Sequence, residues 1–331
     1  MTLPAPIHPP RPPRPLLLPR RLQPGDTLGL FNPSGAIYER APFDHAHATL
    51  QALGFRTREA PNLRARHGHL AGTAQQRADD IHVLVADPGI AGLLAVTGGS
   101  GANRVLPHLD YARIAAQPKF IGGFSDLTAL LSAVHAQTGL VTFHSPLARS
   151  EWNAFSAAQF KAVAMDGLAH TLRNEIVPGD DLVSFEGRTT TLRGGRAQGP
   201  LLGGNLAVLT SLVGTPYLPD LDGAILCLED VNEYIYRVDR MLSTLLLSGV
   251  LARVAGVVLG GFTNCLVSEG SFGTLTLDEV FDDTFGGLGV PVYRGAQFGH
   301  VKRKFTLPLG VPVEIDADAG TLRLLQPAVR P

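Results

Sequence analysis

The segment Phe120-Ile121-Gly122-Gly123-Phe124-Ser125-Asp126-Leu127-Thr128 reads as a buried strand, a sharp turn and the first turn of a helix, with Ser125 at the turn. A serine so placed carries its hydroxyl clear of the sheet, as in a nucleophile elbow. The backbone N–H groups and positive end of the following helix then face the position where an oxyanion would form. Gly122 and Gly123 leave room for the turn. The same residues also describe a simple helix N-cap, because Leu127 stands where the G-x-S-x-G pattern has its last glycine. A second glycine-rich turn, Thr97-Gly98-Gly99-Ser100-Gly101, follows the apolar residues 92–96, and its small side chains let the backbone approach a ligand.

A nucleophilic serine needs a base and a group that orients it. Of the 11 histidines, His45, His47, His67, His69 and His82 lie in polar helix or loop sequence, and the two H-x-H pairs lack a third ligand. No metal site is therefore expected, and no cofactor. His135 points away from the start of its helix. His144, after an apolar strand, and His300, beside Gly299, both stay open as the base. Residues 224–230 form an apolar strand ending in acids, so Glu229 is the favoured carboxylate, with Asp230 and Glu233 as close rivals. Arg237 and Arg240 lie three apart on the next helix, where they can face a substrate carboxylate or pair with Glu233 and Asp239.

The elements that must position these groups alternate strand and helix. Strands are expected over 27–32, 92–96 and 120–124 and helices over 45–53, 74–86 and 127–137, which implies a parallel α/β sheet covered on both faces. The second half reads as a smaller α+β domain, with short strands over 189–192, 224–228, 254–259, 311–315 and 321–325 and helices over 205–213 and 236–247. The expected organisation is a disordered proline-rich leader over 1–23, an α/β domain over 24–155, a linker over 156–188 with the boundary near Val177-Pro178-Gly179-Asp180-Asp181, and a C-terminal domain over 189–331.

Composition narrows the function classes. Among 331 residues, 28 Lys and Arg balance 29 Asp and Glu to a net charge of -1, which argues against nucleic acid or an anionic membrane as partner. The most apolar stretch, 241–262, is interrupted by Ser243, Thr244, Ser248 and Arg253, so no membrane span is expected. Cys227 and Cys265 are too few for a disulfide framework or a four-cysteine zinc site. Gly98-Gly99-Ser100-Gly101 lacks the spacing of a dinucleotide-binding loop.

Taken in order, these segments resemble the serine LD-carboxypeptidase family, which includes muramoyltetrapeptide carboxypeptidases and the self-immunity peptidases that inactivate microcin C. The resemblance runs through Pro24-Gly25-Asp26-Thr27 with Pro33-Ser34, Gly98-Gly99-Ser100-Gly101-Ala102-Asn103-Arg104, Gly123-Phe124-Ser125-Asp126-Leu127-Thr128, Phe143-His144, Gly203-Gly204-Asn205-Leu206, Gly214-Thr215-Pro216, Leu228-Glu229-Asp230, Tyr236-Arg237-Val238-Asp239-Arg240, Gly299-His300 and Leu307-Pro308-Leu309-Gly310. It implies Ser125 as nucleophile, Glu229 as orienting acid and His300 as base. Gly98, Gly99 and Asp126 match the oxyanion hole. Substrate contacts are expected at Thr97, Ser100, His144, Asn205 and Arg237.

By the same resemblance the site lies between two domains of a cytoplasmic homodimer, and the activity is release of a C-terminal D-amino acid from a murein tetrapeptide in peptidoglycan recycling. Two other readings stand beside it: cleavage of a peptidyl nucleotide, and non-catalytic binding of small peptides. Thr97 stands where many members have arginine, a departure that bears on the substrate more than on the chemistry.

Overall fold

The computed structural model describes residues 14–177, 179–180, 182–184, 186–268 and 273–331. Residues 1–13 of the expected leader, and Pro178 and Asp181 of the expected boundary, lie outside the described residues. The chain divides into two compact units. The first comprises the described residues up to Leu168 together with Lys304–Gly310 and Pro327–Pro331, and the second comprises Ala169–Arg303 and Val311–Gln326.

In the first unit the chain runs β1 (Thr27–Phe31), α1 (Ala41–Ala52), β2 (Arg56–Glu59), α2 (Ala74–Ala86), β3 (Gly92–Ala95), α3 (Tyr111–Ala116), β4 (Phe120–Gly123), α4 (Leu127–Thr138), β5 (Thr142–His144) and α5 (Ala154–Phe160). Three of these helices start at a side-chain cap. Thr73 caps α2 in a reciprocal box with Gln76, Asp110 caps α3, and Asn153 caps α5. Strands β3 and β4 are buried along their whole length, as expected of parallel strands with helices on both faces. Phe120 on β4 stacks on Phe143 of β5 at 4.4 Å and meets Phe160 of α5 edge-on.

The second unit contains β6 (Thr171–Arg173), β7 (Thr190–Arg193), β8 (Arg196–Asn205), α6 (Leu206–Thr210), β9 (Ile225–Val231), α7 (Ile235–Leu247), β10 (Gly256–Thr263), α8 (Leu277–Phe285) and β11 (Val292–Arg294). The chain then returns to the first sheet as β12 (Leu307–Leu309) and closes the second with β13 (Pro312–Asp316) and β14 (Thr321–Leu324). The first sheet has the order β12-β5-β4-β3-β1-β2, with its core parallel and only β12 antiparallel. The second unit, expected to be the smaller, carries the larger sheet, of eight strands in the order β6-β14-β13-β8-β9-β10-β11-β7. Strands β8 to β11 pair in parallel. Val238, Leu242 and Leu245 of α7 and Val280, Phe281 and Phe285 of α8 pack with Leu226, Leu228, Val257 and Leu259 of that sheet.

Three sequence expectations need correction. Residues 14–22 are not a free leader: Leu17 donates to Gly139 O and accepts from Val141 at 2.9 Å each, Arg21 donates to Arg330 O, and Leu22 is buried. Pro15 and Pro19 lack donors, but the non-proline residues between and after them supply the N–H groups, and the Pro19 carbonyl accepts from Arg330. The expected linker 156–188 holds most of α5, a π-turn and β6, and the chain passes from one unit to the other at Leu168. The expected C-terminal domain is not continuous, since β12 pairs with β5. Among the described residues, no helix is long and apolar enough to cross a membrane.

Candidate active site

Ser125 stands between β4 and α4 with φ +69°, in the left-handed region that costs an L-residue roughly 1–2 kcal/mol. Thr128 closes that turn by donating its N–H to Ser125 O at 2.9 Å. The glycine loop lies directly against the serine. A Cβ at position 98 would sit 3.0 Å from both Ser125 Cβ and Oγ, so the approach requires glycine there. Gly98 O accepts from Gly35 N–H at 3.1 Å, which ties the loop to the turn after β1.

Asp126 is buried, and its carboxylate accepts from the N–H of Ala102 at 2.8 Å. The elbow and the far end of the glycine loop are thereby joined. Thr97 is buried and donates its N–H to Asn32 Oδ1 at 3.2 Å, whereas Gly99 and Ser100 are exposed. His144 lies on β5 opposite Gly123 and is buried, with its ring 5.8 Å from that of Phe124. The ammonium of Lys304 also stands over the Phe124 ring, 5.1 Å from its centroid.

Glu229 and His300 belong to the second unit. Strand β9 alternates its last side chains, so that Glu229 and Asp230 leave on opposite faces. Glu229 is fully buried, and its Oε2 lies 2.7 Å from Nδ1 of His300. The imidazole is 21% exposed, so one edge of it remains reachable. Gly299, with φ +88°, makes this contact possible, because a Cβ there would come within 2.5 Å of Glu229 Oε2. Thr263 Oγ1 donates to His300 O at 3.0 Å and holds the backbone.

Asp230 has other work. It accepts from Asn205 Nδ2 at 2.9 Å, from its neighbour Val231 at 2.8 Å and from Ala207 at 3.0 Å. Burial pushes its carboxyl up to about 6, against the opposing pull of those donors. Asn205, expected at the substrate, has its amide nitrogen on Asp230 and caps α6 with its oxygen on Val208 N–H. Glu233 pairs with Arg237 at 3.6 Å. Arg237, also expected at the substrate, is exposed; it donates to Tyr236 Oη and lies over the rings of Tyr234 and Tyr236. Of the three acids left open by the sequence, Glu229 alone meets the imidazole of either candidate histidine in the contacts described.

Several supporting residues escape sequence reasoning. Gly299 carries a signal only in its position beside His300, and Asn32 and Thr263 carry none. Arg77 does have one: it falls on the buried face of α2 with Ile81, Leu84 and Val85, where an arginine is out of place.

Both units match known domains. Residues 28–145 match the model of the LD-carboxypeptidase N-terminal domain and residues 198–315 that of the LD-carboxypeptidase C-terminal domain. A Streptomyces coelicolor relative is 40% identical over 324 residues, 96% of this chain and 98% of its own. The murein tetrapeptide carboxypeptidase of Pseudomonas aeruginosa is 34% identical over 291 residues, covering 86% of this chain and 91% of its own. The microcin C7 self-immunity protein MccF of Escherichia coli is 30% identical over 329 residues, covering 91% and 94%. A solved structure of MccF in complex with aspartyl sulfamoyl adenosine superposes with a TM-score of 0.84 at 28% identity, over 95% of this chain and all of that one. The two-unit α/β architecture, the strand–serine–helix turn and these matches define a peptide hydrolase. The chain belongs to the LD-carboxypeptidase family.

Proposed function

We propose that this protein is a serine LD-carboxypeptidase that removes the terminal D-amino acid of a murein tetrapeptide, with Ser125 as nucleophile, His300 as base and Glu229 as orienting acid. The observation that carries the reading is the buried Glu229 carboxylate at 2.7 Å from His300 Nδ1. A carboxylate there holds the Nδ1–H tautomer, so that Nε2 is the basic nitrogen, and it stabilises the imidazolium formed when a proton arrives.

In this mechanism Ser125 Oγ attacks the carbonyl carbon of the scissile amide while its proton passes to His300 Nε2. Backbone N–H groups of Gly98, Gly99 and Asp126 receive the oxyanion. Collapse breaks the C–N bond, His300 gives its proton to the departing D-amino acid, and an acyl-serine remains. Water, losing a proton to His300, then attacks the ester carbonyl. Ser125 departs with that proton and the shortened peptide is released.

A second reading, cleavage of a peptidyl nucleotide, is favoured by the likeness to MccF, whose structure was solved with a sulfamoyl adenosine ligand. Incubation with murein tetrapeptide and, separately, with a peptidyl adenylate, followed by mass identification of products, tests both. Release of D-alanine from the first alone supports the leading reading. Cleavage of the second alone supports the rival, and intact recovery of both with measurable binding supports a small-peptide binding protein. Location in the cytoplasm, a homodimeric state and a place in peptidoglycan recycling belong to the leading reading; sedimentation of the purified chain checks the dimer.

A further inference from the structure

Arg77 is a guanidinium enclosed in the first unit, with 1% of the residue exposed. It is the fourth residue of α2 and is buried with Ala78, Ile81 and Leu84 of that helix. Its Nε donates to Thr73 O at 3.3 Å, and its Nη1 donates both to Pro33 O and, at 2.9 Å, to Gly101 O. Nη2 is buried and meets no acceptor among the described residues. Burying a guanidinium is costly, and an apolar side chain of similar volume would fill this place more cheaply. The charge is therefore retained for something other than packing.

What it grips is informative. Pro33 begins the turn after β1, whose Gly35 N–H holds Gly98 O. Gly101 ends the glycine loop with φ +97°, and its neighbour Ala102 donates to Asp126 beside Ser125. A single nitrogen, Nη1, thus spans both turns that flank Gly98 and Gly99, while Nε on Thr73 O sets its direction, and Asp126 is the acid whose charge acts on the guanidinium.

We infer that Arg77 is a positioning residue for the oxyanion-binding loop: by holding the carbonyls of Pro33 and Gly101 together it fixes the direction of the Gly98 and Gly99 N–H groups. The inference rests on the proposed roles of Ser125 and that loop. Because an oxyanion exists only in the transition state and tetrahedral intermediate, misdirected donors slow turnover without weakening substrate binding. Lysine keeps the charge but has no counterpart to Nε, whose bond to Thr73 O aims the guanidinium, so its flexible stem leaves the direction of the ammonium unset.

The test compares wild type with Arg77→Lys and Arg77→Gln. For each, kcat and KM on murein tetrapeptide are measured, with Tm and the rate of labelling by a fluorophosphonate, whose phosphoryl oxygen uses the same donors. The expected result for Arg77→Lys is a folded protein with KM within twofold of wild type, kcat lowered about tenfold or more, and labelling slowed in step. Arg77→Gln should lose more on both rates. A folded Arg77→Lys with kcat and labelling within twofold of wild type overturns the inference, as does a loss confined to KM. If neither variant folds, Arg77 belongs to the core and the positioning role falls. Labelling of wild type at a residue other than Ser125 strikes the proposed nucleophile instead, whatever the variants do.

Discussion

Glu229 and His300 stand 71 residues apart in the chain, yet Oε2 of one lies 2.7 Å from Nδ1 of the other within a single unit. A fully buried carboxylate is costly unless something bonded to it shares its charge. The pair of Glu233 with Arg237 is looser, at 3.6 Å with the arginine side chain half exposed, where an ion pair adds little. Here strand β9 fixes the acid from one side, and Gly299 and Thr263 fix the imidazole from the other. Contacts from both sides thus hold the pair in place, as the base proposed for His300 requires.

Gly299→Ala should disable this pair. The added methyl meets Glu229 Oε2 at 2.5 Å and Cγ at 2.6 Å in a backbone conformation alanine seldom adopts, so either the acid or the loop must move. Turnover is expected to fall on the order of 100-fold or more, with a lowered Tm. Steady-state kinetics and thermal melts check it; near-normal kcat would show that the contact is not needed.

Ser125→Ala and Ser125→Gly should both lose activity, on the order of 10⁴-fold. Their stabilities should differ, because φ +69° strains alanine but not glycine. The glycine variant should be the more stable by about 1 kcal/mol in urea unfolding. His300→Ala should match the loss of Ser125→Ala and add little to it in the double variant, whereas His144→Ala, which removes a buried ring from β5, should lower Tm more than kcat. An inactive His144→Ala beside an active His300→Ala would reverse the histidine assignment.

Asp230 sets a pH dependence that Asp230→Asn should remove. Its carboxyl is pushed up to about 6 in the folded protein from an ordinary value of 3.8, so between those limits the folded state holds more protons than the unfolded one. Stability from this group is therefore complete below about pH 4 and declines as pH rises to about 6, by on the order of 2–3 kcal/mol. Denaturant unfolding of both proteins at intervals from pH 4 to pH 7 should show the wild type losing ground to the variant across that window. A constant difference would mean that Asp230 titrates normally.

Deleting residues 1–21 should lower Tm by about 4 °C or more, since it removes the backbone bonds of Leu17 and Arg21 and uncovers Leu22. Differential scanning calorimetry of the shortened chain decides this. An unchanged melt would mean that the described part of the N-terminal segment adds nothing to the fold.

Local pattern reached far into this protein. The fully apolar strands β3 and β4, the capped helix α2 and the serine at a strand-to-helix turn are legible because each depends on neighbours within about a dozen residues, where hydrophobic period, cap and glycine act directly. The amphipathic helix α7 and the acids at the end of β9 follow for the same reason.

Other features depend on partners that no local pattern names. Which acid meets a histidine was undecided among Glu229, Asp230 and Glu233, because the choice turns on which face of β9 meets residues 299–300 and which meets α6. The docking of residues 14–22 and the return of β12 to the first sheet pair segments far apart in the chain, and proline there disguised both. Arg77 reads as a misplaced charge until the carbonyls of Pro33 and Gly101 meet its Nη1. Side-chain type and short-range order set the elements and the chemical repertoire. Long-range pairing, through which a buried polar group must find its partner, determined which of those groups meet.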